Sequence, residues 1–190
     1  MKPLQLSLCL LLVAIGCKST SLTTTWKDPS ADLISFRRIV VVVLNASPPE
    51  RRSQEDALVQ QIKRGTATPS YELLTDDELK DVSHSKQKIV AAGFDGVALL
   101  RLVDKRQQTT YVPPETTWDE WDHRANYSNT TGYAVTDTII RAEVSLYTVP
   151  GGKLLWAGSS ETVNPTDAAT LAREVAQATA AELKKQGLIP

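Results

Sequence analysis

Residues 38–44 read Arg-Ile-Val-Val-Val-Val-Leu, an apolar run without interruption after its first residue. A strand with one wet face alternates apolar and polar side chains. This one has no polar member to turn toward water, so it must be covered on both faces, as the strands of helix-flanked parallel sheets are. The run is therefore expected at the centre of a sheet, with helices on either side. The flanking sequence supplies them. Pro48-Pro49 breaks the run, Ser53 and Asp56 form a capping pair that opens a helix, and Ala57, Leu58, Gln61 and Ile62 trace its inner edge to a stop at Gly65. Residues 69–75 read as a short strand with Tyr71, Leu73 and Leu74 as its apolar members. Thr75 and Glu78 make a second capping pair, and residues 76–92 are helical in character, divided at Ser83-His84-Ser85 and ended by Gly93. Phe94-Asp95-Gly96 turns the chain into another buried strand, 97–103. Strand, helix, strand, helix, strand in this order favours parallel pairing with right-handed crossovers.

The pattern then changes period. Residues 136–148 alternate, with Thr138, Ile140, Ala142, Val144, Leu146 and Thr148 on one face, and Pro150-Gly151-Gly152-Lys153 reverses the chain into a second strand, 154–163, with Trp156 paired near the turn. Asn164 is read as the cap of a last helix, with Pro165 at its first position and Asp167 near its positive end. Ala168, Ala172, Val175, Thr179 and Leu183 then form a stripe until Gly187, and so many alanines imply close packing on the sheet. The expected fold is α/β (α+β): a single mixed sheet with a parallel βαβαβ part, an antiparallel C-terminal hairpin and a long C-terminal helix. Near the start, residues 22–27 have the Thr-rich, aromatic composition of a strand that Asp28-Pro29-Ser30 ends.

The first residues are of another kind. Lys2 supplies a positive start, residues 4–15 a mostly apolar run, and Ala14-Ile15-Gly16 a small-residue cleavage site before Cys17. Such a run is too short to cross a bilayer, which takes roughly 20 apolar residues. The stretch Ala14-Ile15-Gly16-Cys17 resembles the lipobox of bacterial lipoproteins. That resemblance implies cleavage after Gly16, a diacylated Cys17 sulfur with palmitate-type chains, and a membrane anchor through that lipid. Lys18 in the second mature position resembles the signal for sorting to the outer membrane, with the body in the periplasm. Cys9 is the weaker choice, because bulky Leu8 precedes it and the apolar run continues past it. An ordinary secretory leader is the alternative reading. One acyl chain binds a membrane marginally, at about 0.8 kcal/mol per buried methylene, whereas two or three hold a protein there. The chain thus divides into a signal peptide at 1–16, a lipid anchor and polar tether at 17–25, and an α/β domain at 26–190.

Cys9 and Cys17 are the only cysteines, so after processing there is no free thiol, disulfide or cysteine-based metal site. Without Lys2 the side chains number 20 basic against 22 acidic, and no basic block offers a footprint for nucleic acid or anionic lipid. No Gly-x-Ser-x-Gly elbow accompanies Ser159-Ser160, and Gly151-Gly152-Lys153 lacks the spacing of a phosphate loop. Asp76-Asp77-Glu78 suits the start of a helix, where acids complement the dipole. No enzyme activity and no cofactor are expected.

Trp26-Lys27-Asp28-Pro29, the 40–44 strand, the passage Ala92-Gly93-Phe94-Asp95-Gly96-Val97 and the hairpin Gly152-Lys153-Leu154-Leu155-Trp156 span nearly the whole mature chain. Together they resemble the small α/β domains of bacterial envelope lipoproteins, akin to the amino-terminal domain of TolB and to the curli-secretion lipoprotein, and an uncharacterised family of outer-membrane lipoproteins. The resemblance implies a fold and a location, and fold alone does not establish function.

Residues 104–135 do not fit so small a module, since loops of about 30 residues are uncommon unless functional or disordered. The segment holds Tyr111, Trp118, Trp121, Tyr127 and Tyr133, which are candidate partner-binding residues, because surface aromatics give large contact area at low entropic cost. The alternative is that the flanking strands extend as a ribbon whose rings cover the sheet. His123 beside Asp119, Glu120 and Asp122 invites a metal or acid-base reading, but sequence neighbours seldom converge on one point and no metal site is expected. His84 is read as a solvated helix residue. Two function classes follow: a non-enzymatic envelope lipoprotein that docks a protein partner through the aromatic segment, or a hydrolase or small-ligand binder using His123, Asp122 and Asp119.

Overall fold

The computed structural model describes residues 19–34, 36–62, 66–113 and 131–189. Among them six strands form one mixed sheet: β1 (Thr20–Lys27), β2 (Ile39–Leu44), β3 (Ala67–Pro69), β4 (Gly96–Val112), β5 (Tyr133–Thr148) and β6 (Leu154–Val163), in the spatial order β1-β6-β5-β4-β2-β3. The helices are α1 (Pro48–Gln61), α2 (Val82–Ala91) and α3 (Ala168–Lys185). β3, β2 and β4 run parallel, while β4, β5, β6 and β1 pair antiparallel. The mixed sheet, its parallel part, the hairpin and the C-terminal helix are as the sequence pattern requires.

The valine run is covered on both faces. Ile39, Val41 and Val43 join the larger core, and Val40 and Val42 the smaller one on the opposite face. Its place differs from the expectation, for β2 lies one strand from the edge rather than at the centre, with β4 on its inner side and only the three residues of β3 on its outer side. Helices above and below provide the burial that a central position would have provided.

The larger core lies between the sheet and the pair α1 and α3. Leu100, Val144, Leu146 and Trp156 meet Val175, Ala176, Ala180 and Leu183 there. Ala172, Ala176 and Ala180 are buried, so α3 approaches closely, but Ala168, expected on the same stripe, is exposed. Trp156 is fully buried and its ring crosses Gly158, where any Cβ would overlap it. Gly96 is likewise under Phe36, whose ring stands 2.6 Å from where a Cβ would be.

Element boundaries moved for local chemical reasons. α1 begins at Pro48, not near Ser53: both prolines occupy the first turn, where a missing N–H costs nothing, and the Ser47 amide and hydroxyl donate to Glu50 at 3.1 and 2.6 Å. The expected strand at 69–75 is cut short, because after Pro69 the chain turns in a 3-10 helix (Ser70–Glu72) toward the buried Glu55 carboxylate. That carboxylate accepts from the Ser70 hydroxyl at 2.6 Å, the Val43 amide at 3.1 Å and the Tyr71 amide at 3.2 Å, joining α1, β2 and the loop. Thr75 and Glu78 cap reciprocally, as expected, at 2.9 and 3.3 Å. The helical stretch divides at Asp81 rather than at residues 83–85, since the Asp81 carboxylate caps α2 by accepting from the His84 amide at 3.0 Å. α3 starts at Ala168 behind Asp167, which accepts from the Thr170 amide at 2.7 Å. Asn164 instead binds across to β5, accepting from the Thr138 amide at 2.8 Å and donating to Asp137 at 2.7 Å. Gly93 and Gly187 end α2 and α3 at positive φ, which glycine adopts without strain.

Of the stretch expected as a polar tether, residues from Thr20 onward belong to β1, paired with β6. Threonine-rich sequence suits an exposed edge strand as well as a linker.

Candidate functional site

α2 has ten residues and lies over β2 and β4 on the face opposite α1 and α3. A groove of about 280 Å³ remains beside it, walled by Val42, Leu99, Tyr147, Leu79, Val82 and Ile89. Val82, the first residue of α2, is 77% exposed at its rim. Its polar lining includes Ser85, whose hydroxyl donates to the Glu78 carbonyl at 2.7 Å, and Lys86. Ligand pockets typically run from about 300 to 1,000 Å³ with several convergent polar groups. This groove suits the apolar side chains of a partner better than a small polar molecule. Sequence reading did not single out these residues. The available signal was that Val97 and Leu99 are apolar on the face which only a short helix could cover.

Beside the groove, Glu78 takes the Lys88 ammonium at 2.9 Å and the His84 ring at 3.2 Å. Its carboxyl is lowered to about 2, chiefly by the Thr75 amide, then by Lys88 and His84. His84 is exposed on α2, as expected. Among the described residues no group of three or more His, Cys, Asp or Glu could hold a metal ion.

Among the described residues no helix covers the rest of this face. Arg101 and Glu143 pair at 2.7 Å across β4 and β5, and Glu161 on β6 takes Arg141 at 2.7 Å and Arg106 at 3.1 Å. Those two guanidinium groups, Arg141 first, lower the Glu161 carboxyl. Trp26 stands about half exposed at the edge.

β4 and β5 continue past the other strands as a two-stranded ribbon. Val163, the last residue of β6, faces Ile139; beyond it Thr138 through Tyr133 pair, among the described strands, with Gln107 through Val112 of β4 alone. Residues 104–112 and 133–135, expected in a loop, are therefore strand. Threonine, glutamine and tyrosine sustain a ladder without a buried face, and their alternation carries no apolar stripe to reveal it. Tyr111 and Tyr133 lie at the tip, 63% and 61% exposed. Tyr111 faces Ala134 and Tyr133 faces Val112, in adjacent register positions, so the two rings point to opposite faces. Trp118, Trp121 and Tyr127, with His123, Asp122 and Asp119, lie outside the described residues.

Cys17 and Gly16 also lie outside them, yet the chain just after is firmly held. The Ser19 carbonyl accepts from the Val163 amide at 3.1 Å, and the buried Thr20 hydroxyl bonds Thr162 at 2.6 Å and Glu174 of α3 at 2.8 Å. The body thus begins at the end of the sheet from which the ribbon leaves. Consecutive Cα atoms are 3.80 Å apart, so Cys17 sits within about 7.6 Å of Ser19, Cα to Cα.

No protein-family profile matches the chain, and no curated protein does. Among solved structures it is similar to a PelC dodecamer from Paraburkholderia phytofirmans, at 8% identity over 85% of this chain and 95% of that one, with a TM-score of 0.49. It is also similar to lipoprotein GNA1162 from Neisseria meningitidis, at 16% identity over 78% of this chain and 98% of that one, with a TM-score of 0.41. No helix of the described residues is long and apolar enough to cross a membrane.

Proposed function

We propose that the protein is a lipid-anchored lipoprotein of the bacterial cell envelope, cut after Gly16, acylated on Cys17 and held at the outer membrane with its body in the periplasm. Its body acts there as a non-enzymatic protein-binding or accessory module. The observation that carries this reading is the leader ending in Gly16-Cys17, followed within two residues by a body pinned through Ser19 and Thr20 to β6 and α3. A lipid on Cys17 would hold such a body close to the bilayer with little freedom to leave it. The apolar groove beside α2 supports the protein-binding half of the reading, because it can receive apolar side chains of a protein partner.

Anchoring is tested by Cys17→Ser, which should move the body from the membrane fraction to the soluble extract, and by intact mass, which should show a mature chain starting at residue 17 with an acyl adduct. A variant that still sediments fully with membranes, or a native chain without adduct, overturns the anchor. Docking is tested in cells with a photocrosslinking residue at Val82. A discrete larger adduct that a Leu79→Asp change removes supports it, and equal adduct yields with and without that change count against it.

A further inference from the structure

We infer that the sheet face beside Trp26 binds one pyranose unit of a glycan, its ring stacked on the Trp26 indole and its hydroxyls held by Glu143 and the short hydroxyl side chains between the two. The position follows from register. Trp26 of β1, Ala157 of β6 and Ser145 of β5 form one row across the sheet; Thr24, Ser159 and Glu143 form the next, with Arg101 of β4 at its end. These side chains alternate with the core residues and so lie on the face opposite α1 and α3. Ala157, Ser145 and Ser159 are short, and a hollow of about 210 Å³ remains over them between the indole and the carboxylate. Trp26 and Glu143 stand roughly 12 Å apart at the backbone, from two strand spacings and one two-residue step, which a single sugar ring fills once both side chains reach inward. The hollow also lies out of reach of the chain that continues from the ribbon. Ser145 is twelve residues along β5 from Tyr133, about 40 Å, whereas residues 114–130, which must leave and return, span at most about 30 Å.

The ligand class follows from the groups left unused. Arg101 donates from Nε at 3.0 Å and from Nη2 at 2.7 Å, both to Oε2 of Glu143, which fixes the carboxylate and leaves Oε1 without a partner among the described residues. The Thr23 hydroxyl donates to the Ser159 carbonyl at 3.2 Å, and among the described residues no bond uses the hydroxyl of Thr24, Ser145 or Ser159. The indole is 48% exposed. One aromatic face, one fixed carboxylate oxygen and three hydroxyls match a pyranose, which has an apolar C–H face and a rim of hydroxyl groups. The negative face of the indole quadrupole attracts those C–H groups, and a hydroxyl donating to a carboxylate makes a charge-assisted bond. Other ligands use less of the set. Glu143 repels a phosphate. A quaternary ammonium group would leave the hydroxyls idle, and such cations are held by cages of several rings. A protein partner is anchored by large side chains near the centre of its footprint, where this hollow has alanine and serine.

The test uses the natively processed full chain in a detergent without sugar headgroups, with chitotriose, cellotriose, maltotriose and choline as probes in saturation-transfer NMR and calorimetry. At least one trisaccharide should bind, with the strongest transfer to the C–H protons of one ring. Trp26→Ala should weaken that binding at least about tenfold, and Glu143→Gln about threefold. Ser145→Leu fills the hollow while keeping Trp26 and Glu143, and it should abolish binding. Urea midpoints near that of the parent show that the variants fold, and either Trp26→Ala or Ser145→Leu decides where the other does not. Failure of all three trisaccharides to bind overturns the inference, and so does binding that a folded Trp26→Ala or Ser145→Leu variant leaves unchanged. Choline that binds through Trp26 when no trisaccharide does overturns it in favour of an ammonium ligand. Binding in solution does not depend on the lipid of Cys17, so failure of the anchor leaves this test intact.

Discussion

β4 and β5 form one continuous ladder with two unlike halves. In the inner half, Ala98 and Leu100 face Leu146 and Val144, all buried against α1 and α3. In the outer half, from Gln107 and Thr138 to Val112 and Tyr133, no helix of the described residues covers either face, Asn164 alone reaches Thr138 and Asp137 from outside the ribbon, and most side chains are exposed. The halves meet at the irregularity between Leu102 and Asp104. Backbone pairing is the same in kind on both sides, so pairing does not distinguish them. The inner half is held by apolar burial, and the outer half by strand propensity and cross-strand contacts such as the Thr109–Thr136 hydroxyl bond at 2.9 Å, which are worth roughly 0.2–1 kcal/mol each. One ladder thus serves both as the floor of a core and as a free arm.

The sharpest way to break this comparison is to remove volume from the inner half. Leu146→Ala, at a side chain 1% exposed, should cost about 2–5 kcal/mol in urea unfolding, since it leaves a cavity under α3 that the rigid sheet cannot close. A loss no larger than that of an outer-half substitution would mean that pairing, not burial, holds the ladder. Overpacking tests the same half from the other side. Gly158→Ala puts a methyl into the Trp156 ring, which has no free space to retreat into, and should cost about 1–3 kcal/mol while blue-shifting or broadening the near-ultraviolet tryptophan signal.

The inner half was legible in the sequence because burial writes itself as pattern. The run at 38–44, the alternation of Ala142, Val144 and Leu146, the turn at Gly151-Gly152 and the stop at Gly187 all state their environments locally. What was not legible depended on partners far along the chain. The 3-10 turn at Ser70 exists because Glu55, fifteen residues earlier, needs donors, and no window around Ser70 contains that fact. Pro48-Pro49 can end a strand or begin a helix, and only Ser47 with Glu50 decides. The groove is walled by residues from separate stretches, from Val42 on β2 to Tyr147 on β5, and no one window contains them. The ribbon was one of two readings of 104–135, left undecided because its shaft has no apolar face, and of the candidate binding residues Tyr111 and Tyr133 lie within the described ones.

Two carboxyls sharpen the comparison through pH. Glu55, enclosed in the packed layer, has its carboxyl raised above the ordinary 4.5 by burial, against the opposing pull of Ser70. Between the ordinary and the raised value the folded state keeps a proton that the unfolded chain has released, so stability falls as pH rises through that window. Glu161, on the solvent side where the halves meet, is lowered below 4.5 by Arg141 and then Arg106. There the unfolded chain takes up the proton first, so stability is lost as pH falls below the ordinary value. Urea midpoints across the acid range should therefore change in opposite senses. Glu55→Gln should remove the decline on the rising side, and Glu161→Gln should flatten the acid side. Equal pH slopes in the two variants would mean that the two sites share one environment.

The smallest expected effect lies at the far end of the ladder. Tyr111 touches little of the folded body: its hydroxyl lies over Gly132, and well over half of the ring is in solvent. Nothing in the core loses a neighbour when it is shortened, and surface changes away from caps and cores stay within about 0.5 kcal/mol. Tyr111→Ser should therefore leave the urea midpoint of the Cys17→Ser body where it was, although strand propensity falls slightly at that position. A midpoint shift as large as that of Leu146→Ala would make the outer half part of the packed fold.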